Sequence, residues 1–530
     1  MSNSSTAVLQ RLQTSAALVQ RWGDTILSDG GTLKEALTFG EISFWDVIAP
    51  EIALYGLPQA FLDPKKLVTP YWKLRRAFNT WRCQRSRSRV YLGWTKPPSA
   101  PPRPIHLYCG FSPYMRRDIL DPLAESLNEA DEHVSTVCIV DERQADFAGQ
   151  SPSCRVVWEY WDSEAEARQR QWSRQLDTLA RSLDRTGVFQ TMAGRAQAEL
   201  RPAVMELLRS LFRHPLGRLL PYAAVARRVL DEHSPDLVLT PDVADPLCRI
   251  YLLIGRKRRI PSVELQFGCC GDNSVEWAFS LADRVAVWGD NAGATLRELG
   301  VPSERIVVTG SPRHDQMVRQ DADEAERIRR RLHMPEGRTL VLFASSICNS
   351  EYGQDPSALA LAKTQRVILD LAAHAPDWAL VYKPHPLEDT RGIRRELGSL
   401  PNVIWAEPRE DICSLIRTCD VFVSLGSSST MDALIAQKPT ICAIFPGWVW
   451  DGLFTESGAV VAVHSPEELG MALRKAVSAP QAFLESVESA RQHLLQEWAF
   501  QPGGACRRIN DLALNLTPPG KPRYSESAAR

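Results

Sequence analysis

Short apolar, β-branched runs alternate with long amphipathic stretches from residue 105 to residue 463, and this alternation limits the fold more than any other feature. It is the pattern of βαβ units, in which helices cross between parallel strands. It runs to residue 309 and restarts at residue 339. The predicted strands are Ile105–Cys109, Val134–Val140, Arg155–Trp158, Leu237–Thr240, Ser262–Gln266, Arg284–Trp288 and Arg305–Thr309, then Thr339–Ala344, Trp378–Tyr382, Asn402–Trp405, Val421–Leu425, Thr440–Phe445 and Ala459–Val463. The sequence therefore predicts an α/β protein with two Rossmann-like sheets.

The predicted domain boundaries follow from these two runs. Residues 101–315 form an N-terminal Rossmann-like domain, interrupted at 162–233 by a helical insertion rich in Arg, Gln, Glu, Leu and Ala. Residues 316–500 form a C-terminal Rossmann-like domain. Residues 501–530 are a tail whose last part is predicted to be disordered. Residues 1–100 precede both sheets and are predicted to be a helical N-terminal extension.

Charge and composition exclude several classes of protein. Lys and Arg number 62 against 63 Asp and Glu, a net charge of -1, so no global field attracts nucleic acid or anionic lipid. The 12 cysteines form neither a CxxC pair nor a cluster with zinc-ligand spacing, and we interpret them as reduced thiols. No stretch of about 18 apolar residues is present, and residues 1–20 lack the features of a signal peptide. We expect a cytoplasmic protein that binds no nucleic acid.

A basic segment with interleaved aromatic residues lies within the N-terminal extension. Between Trp72 and Arg89 the cations are Lys73, Arg75, Arg76, Arg82, Arg85, Arg87 and Arg89. Such a segment could lie on the anionic cytoplasmic face of the inner membrane as a peripheral contact. The alternative is a basic, partly solvated helix that packs on the first domain.

A strand, a small polar turn and a helix follow one another between Val421 and Ala436. Gly426 allows a tight turn, Ser427, Ser428, Ser429 and Thr430 supply hydroxyls, and Asp432 lies in the first helical turn. A helix N-terminus at the carboxyl edge of a parallel sheet binds anions well. The block therefore predicts a phosphate site, although an ordinary capped turn has the same order of elements.

Two further blocks lie at strand ends in the second half of the chain. Lys383 and His385 follow a predicted strand, and Pro384 and Pro386 restrict the loop, so both side chains are expected to point into the same crevice. The block from Gly310 to Asp315 joins the two domains, and its Arg313 either contacts a ligand or forms a hinge ion pair with Asp315.

The fourth block belongs to the first domain. A predicted strand runs through Gln266 and Phe267 into a glycine loop that is followed by Asp272. A carboxylate at this position could act as a base towards a hydroxyl.

At these four blocks, over residues 235–465, the chain resembles the GT-B glycosyltransferases that build bacterial surface and capsular polysaccharides. The order of Gln266 to Gly268, Ala282 to Gly289 and Gly310 to Asp315 is similar to that group and to its glycerophosphotransferase relatives. Lys383 to Pro386 and Gly426 to Thr430 resemble the His-Pro and serine motifs of sialyltransferases and of capsule transferases that use Kdo.

The resemblance implies that residues 101–315 handle the acceptor and residues 316–500 bind the nucleotide donor. From their positions at strand ends, we expect Asp272 and His385 to be the catalytic residues. The resemblance implies that His385, Ser427, Ser428, Ser429 and Thr430 hold the nucleotide phosphates and that Asp432 lies near the nucleotide ribose. From their places in the blocks, we also expect Gly310, Arg313, Lys383 and Gly426 to bind the donor. No metal and no cofactor are expected, because helix dipoles and basic side chains can stabilise the leaving nucleotide.

We therefore expect a glycosyltransferase that moves a sugar from a CMP-, CDP- or UDP-linked donor to a glycan or lipid-linked acceptor. Many relatives have a histidine where this chain has Phe267, so another group must accept a proton if the reaction needs a base. Two alternatives stay open: a sugar-nucleotide 2-epimerase of the same architecture, and a catalytically inactive assembly partner.

Overall fold

The computed structural model describes most of both sheet domains and part of the segment before them. The described residues are 14, 16–53, 104–130, 133–151, 153–195, 201–213, 215–269, 274–319, 322–346, 356–375, 377–386, 388, 390, 393–394, 400, 402–448 and 452–517. The predictions for Asp272 and for the basic run between Trp72 and Arg89 lie outside them.

Two parallel sheets confirm the predicted fold class. The first has seven strands in the order β5-β4-β3-β6-β7-β8-β9. Its strands are β3 Ile105–Cys109, β4 Ser135–Val140, β5 Cys154–Val156, β6 Leu237–Thr240, β7 Ser262–Leu265, β8 Arg284–Val287 and β9 Ile306–Val308. Before it, β1 Thr38–Phe39 and β2 Ile42–Ser43 form a small antiparallel pair. The predicted third strand is shorter than expected, because Val157–Tyr160 turns into a 3-10 helix.

The second sheet has six strands in the order β12-β11-β10-β13-β14-β15. Its strands are β10 Thr339–Ala344, β11 Trp378–Lys383, β12 Val403–Trp405, β13 Val421–Ser424, β14 Thr440–Ala443 and β15 Val461–Val463. β10, β11, β13 and β14 are almost wholly buried, as expected of parallel strands covered by helices on both faces.

Helices connect the strands and cover both sheets. Those of the first domain and the segment before it are Leu33–Ala36, Phe44–Glu51, Pro113–Met115, Asp121–Ala130, Ala145–Ala148, Pro246–Lys257 and Asp290–Glu298, and those of the insertion are Ser163–Arg185, Val188–Gly194, Arg201–Arg213 and Pro215–His233. Those of the hinge and second domain are Pro312–Met317, Ala322–Arg331, Pro356–Ala373, Ile412–Thr418, Ser429–Ile435, Pro466–Ser478 and Pro480–Trp498. No helix among the described residues is both long and apolar enough to cross a membrane.

Residues 16–53 share the core of the first domain. Trp22 is fully buried, and its indole Nε1 donates to Met192 O of the insertion at 3.0 Å. Arg249, in the helix after β6, donates to Asp46 O at 2.8 Å. The segment that precedes the sheet is therefore joined to the domain by burial and by hydrogen bonds.

The chain returns to the first domain after the second sheet. The helix Ala505–Leu516 packs on Asp121–Ala130, and Asn510 Nδ2 donates to Leu123 O at 3.2 Å. Asp315 accepts the backbone N–H groups at the start of this helix, at 2.6 Å from Gly503 and 3.0 Å from Ala505. Part of the segment predicted as a tail is thus a packed helix.

Candidate functional site

The loops that follow the two sheets meet in a cleft. Ser428, after β13, accepts a hydrogen bond from Cys269 N, after β7, at 3.1 Å. A Cβ on Gly268 would lie 3.3 Å from Ser428 Oγ, so this position has room for little more than a glycine. Arg117 of the first domain donates to Arg409 O of the second at 3.2 Å. The carboxyl edges of both sheets therefore line one site, as expected for ligand binding in open α/β folds.

The serine-rich loop is held from within by its own hydroxyls. Gly426 has a φ of +83°, a conformation that glycine adopts without strain. Buried Ser424 accepts Gly426 N at 3.2 Å and lies 2.9 Å from Thr430 Oγ1. Thr430 is fully buried, so its hydroxyl supports the loop and does not face the cleft.

The other hydroxyls of the loop lie closer to the cleft. Ser427 and Ser428 are half-buried, and Ser427 Oγ lies 2.6 Å from Ser429 Oγ. The structure thus brings Ser427 and Ser428 to the cleft side of the loop. They are the side chains of this block best placed to meet a phosphate.

Lys383 is the last residue of β11 and is almost fully buried. Its ammonium donates to Pro384 O at 2.9 Å and to Pro408 O at 3.0 Å, which joins two loops at the edge of the sheet. Burial, with the charge of Arg117, lowers the pKa of Lys383 to about 8. In this structure the Lys383 ammonium connects these two loops and does not present its charge to the cleft.

His385 is half-buried two residues further on. Its backbone N–H donates to Glu388 Oε2 at 3.0 Å, and Glu388 Oε1 accepts from Tyr382 OH at 2.9 Å and from Gln365 Nε2 at 2.8 Å. Burial, with the charge of Lys383, lowers the pKa of His385 to about 4, so the imidazole is neutral at neutral pH. A neutral imidazole still offers one N–H donor to a phosphate oxygen.

Asp432 lies beneath the serine loop, fully buried, where its Oδ2 accepts from Arg313 Nε at 2.8 Å. Arg313 also lies 3.8 Å from Asp118 of the first domain. The expected hinge pair of Arg313 with Asp315 does not form, because Asp315 caps the C-terminal helix. Arg313 and Asp432 therefore form an ion pair beneath the serine loop.

Gly310 is in the left-handed region with a φ of +78°. A Cβ there would lie 2.6 Å from Phe500 O, where the returning chain passes the hinge. Arg508 Nε donates to the adjacent Thr309 O at 2.7 Å. Gly310 therefore permits close backbone packing at the hinge.

Gln266 and Phe267 lie on the first-domain edge of the cleft. Gln266 accepts Trp288 N at 2.7 Å through Oε1 and donates to Gly268 O at 2.7 Å through Nε2. Phe267 packs on the core beside the C-terminal helix. Gln266 is thus structural, and Phe267 has no group that can accept a proton.

Arg117 was missed by sequence reasoning, and Asp242 was considered only as a carboxylate that would hold a metal if the reaction needed one. Arg117 interacts with Asp118 at 2.6 Å and with Asp411 of the second domain at 3.4 Å, so it links the two sides. Asp242 lies in the loop after β6, and burial raises its pKa to about 7. The short Pro-Asp segment after a predicted strand was the available signal for Asp242, whereas nothing local marked Arg117.

The described residues contain one group with metal-ligand geometry, Asp118, Asp411 and Cys413, whose ligand atoms lie within 4.8 Å of one another. Arg117 already pairs with both carboxylates, and burial raises the pKa of the Cys413 thiol well above its usual value. These groups suit an interdomain ion-pair network better than a cation.

Two parallel-sheet domains with a shared cleft and a returning C-terminal helix define the GT-B architecture. Residues 295–446 match the family model described as CDP-Glycerol:Poly(glycerophosphate) glycerophosphotransferase. This match includes the hinge, Lys383, His385 and the serine loop. It confirms the predicted class of enzyme, a GT-B-type transferase.

Solved structures are also similar to this chain. A single-site variant of the wall teichoic acid polymerase TagF matches with 13% identity over 84% of this chain and 98% of its own, at a TM-score of 0.50. The UDP-GlcNAc 2-epimerase of Neisseria meningitidis bound to UDP-GlcNAc matches with 13% identity over 78% of this chain and 100% of its own, at a TM-score of 0.48. Comparison with curated protein sequences gave no match.

Proposed function

We propose that this protein transfers a group from a nucleotide-activated donor to a glycan or lipid-linked acceptor in the synthesis of a cell-surface polymer. The observation that carries the proposal is the match of residues 295–446 to a glycerophosphotransferase family. That segment contains the hinge and most of the predicted donor-binding residues. TagF, a wall teichoic acid polymerase, has the same fold.

The geometry of the second sheet supports a donor diphosphate between two loops. β10 lies between β11 and β13, so the ends of β11 and β13 are about 10 Å apart, twice the spacing of neighbouring strands. His385 follows the end of β11, and Ser427 follows the end of β13. Side chains that reach inward from both loops would therefore contact a diphosphate from two sides. In the proposed complex, the serine hydroxyls and the His385 N–H donate to phosphate oxygens, and no metal or cofactor is needed.

The group that is transferred decides which nucleotide is released. Transfer of glycerol phosphate from CDP-glycerol breaks the pyrophosphate and releases CMP. Transfer of a sugar from a UDP-linked donor breaks the bond to the anomeric carbon and releases UDP. Transfer of an acidic sugar from a CMP-linked donor also releases CMP, so release of CMP must be interpreted together with the donor that was supplied. Donor and product together therefore distinguish glycosyl transfer from glycerophosphoryl transfer.

The place of the reaction is part of the proposal. We propose that the enzyme works as a peripheral protein at the cytoplasmic face of the membrane, in capsule or related polymer synthesis. The support is the Arg-rich run between Trp72 and Arg89 in the sequence. The full-length protein should sediment with vesicles that contain anionic lipid and not with neutral vesicles, and 0.5 M salt should release it. Equal binding to both kinds of vesicle would contradict this placement.

A nucleotide screen tests the function. Thermal shifts are measured with CMP, CDP, UDP, GDP and dTDP, since a ligand at 100 times its Kd stabilises the native state by about 2.7 kcal/mol. The donor forms of the binding nucleotide are then assayed for nucleotide release with and without a polymer acceptor.

His385→Ala should weaken binding or turnover by about 10- to 100-fold, the loss of a hydrogen bond to a charged group. His374→Ala, on an exposed helix end, is the matched control and should behave as wild type. No binding of any nucleotide by the folded protein would contradict the proposal, and so would conversion of a nucleotide sugar in the absence of an acceptor.

A further inference from the structure

Asp242 stands at the carboxyl end of β6, on the part of the cleft edge that the serine loop approaches. β6 and β7 pair in parallel with Thr240 opposite Glu264, so Asp242 is level with Gln266, two residues beyond this pair. Neighbouring strands lie about 5 Å apart. The chain from Gln266 continues to the backbone contact with Ser428. Asp242 therefore lies in the loop after β6, the strand next to β7, and the chain after β7 touches the proposed donor loop.

The loop fixes one oxygen of this carboxylate. Asp242 Oδ1 accepts Ala244 N at 2.8 Å and Asp245 N at 3.2 Å. Buried Arg249 donates to Val243 O at 2.8 Å and holds the same loop from behind. Asp242 is half-buried, and its Oδ2 has no hydrogen-bond partner within the described residues. One oxygen is therefore oriented by the backbone while the other can accept a proton.

The surroundings favour a carboxylate that exchanges protons near neutral pH. The titratable and charged groups that act on it are Asp245, Cys248, Arg249, Glu264 and Glu276. Burial, with the charge of Asp245, raises the pKa of Asp242 to about 7.

Glu276 is a second carboxyl group beside Asp242. It is 6% exposed, and its Oε2 has no hydrogen-bond partner within the part of the chain that the structure describes. Burial and the charge of Asp242 raise the pKa of Glu276 to about 8. Of the two carboxyl groups, Glu276 therefore holds its proton to the higher pH.

We propose that Asp242 is the general base that accepts the proton of the acceptor hydroxyl, an inference that rests on the transfer reaction proposed above. The acceptor oxygen bonds to the electrophilic atom of the donor, an anomeric carbon or a phosphorus. Its proton passes to Asp242. The bond between the electrophilic atom and the leaving nucleotide oxygen breaks, and the electron pair leaves with the nucleotide. Solvent then takes the proton from Asp242.

Four variants test this role in the full-length protein: Asp242→Asn, Asp242→Glu, Asp245→Asn and Glu298→Gln. The measurements are kcat and KM against pH with the donor found in the screen, and the thermal shift produced by its nucleotide. Asp242→Asn should lower kcat by 100-fold or more, as expected for loss of a general base, and leave the thermal shift unchanged.

The other variants separate catalysis from folding. Asp245 accepts Leu247 N at 2.8 Å as a helix cap, and asparagine keeps an acceptor there. Asp245→Asn should stay active and move the acidic limb of the pH profile to lower pH, because it removes a negative charge beside Asp242. Glu298→Gln, exposed at the far end of its helix, should match wild type.

A folded Asp242→Asn variant whose kcat is within threefold of wild type would overturn the inference, as would an acidic limb that Asp245→Asn does not move. If Asp242→Asn does not fold, Asp242→Glu decides: a reduced kcat with the limb retained supports the role, and full activity without a limb overturns it. If the wild type transfers no group from any donor, the proposed function is wrong, and the proposed role of Asp242 is wrong with it. That outcome is recognised by the lack of product from the wild type itself.

Discussion

The buried pair of Arg313 and Asp432 should control stability strongly. Arg313→Met removes the guanidinium and keeps most of the side-chain volume. It leaves Asp432, whose side chain is 1% exposed, without its cation in the core of the second domain.

The expected loss is large because the remaining charge stays buried. Removing one partner of a buried ion pair costs about 3–5 kcal/mol, whereas replacing both partners with apolar groups is often close to neutral. The side chain of Arg313 is 16% exposed, so a value near the lower end, about 3 kcal/mol, is expected. Asp118 keeps its contact with Arg117 at 2.6 Å and should add little.

Denaturant unfolding of the wild type, Arg313→Met, Asp432→Leu and the double variant measures this. The double variant should recover at least half of the loss caused by Arg313→Met. Arg330→Ala is the control, since its pair with Glu326 is 78% and 53% exposed and should contribute at most about 1 kcal/mol. A loss below 1 kcal/mol for Arg313→Met, or a double variant less stable than either single one, would refute the reasoning.

Three further outcomes are expected. Gly310→Ala should lower the free energy of unfolding by about 2–4 kcal/mol in thermal unfolding, because a positive φ is combined with a Cβ 2.6 Å from Phe500 O. The control is Gly300→Ala, at a φ of +91° with nothing within 4 Å, which should lose only about 1–2 kcal/mol from the strained backbone conformation. Asp242 should contribute stability that is lost as pH rises from about 4 to 7, since the native carboxyl keeps its proton up to a pKa of about 7 while the unfolded chain has released it. Between these pH values, the free energy of unfolding of Asp242→Asn should therefore fall less, or rise more, than that of the wild type, and equal slopes would contradict the assignment. Transfer activity should persist in EDTA, and complete inactivation that Mg²⁺ reverses would refute the metal-free scheme.

The sequence predicted the strands well because local pattern determines them. Runs such as Leu237–Thr240 and Thr339–Ala344 are apolar and bounded by turn residues, and the structure has strands with these bounds. The order of the strands in each sheet could not be predicted from the sequence in the same way, because it depends on how the crossover helices pack and not on any single segment.

The positions of the candidate site residues at strand ends were predicted, but their contacts were not. Thr430, Asp432 and Lys383 lie at or just after the expected strand ends, yet each side chain contacts a partner elsewhere in the fold or beside it in the chain. A motif shows which residues stand at a strand end. Which of them face solvent is decided by tertiary neighbours such as Arg313, and no local pattern contains that information.

The helix Ala505–Leu516 makes the first domain discontinuous in sequence. Ile509 and Ala513 of this helix complete the core of the first domain, and they are synthesised after the whole second domain. During synthesis, the face of the first domain that they cover is therefore exposed until the second domain has been made. A chain cut before Ala505 would lack part of the first domain while its second domain stayed entire. Separate expression of the two halves therefore requires joining residues 505–516 to the N-terminal piece, in the manner of a circular permutation.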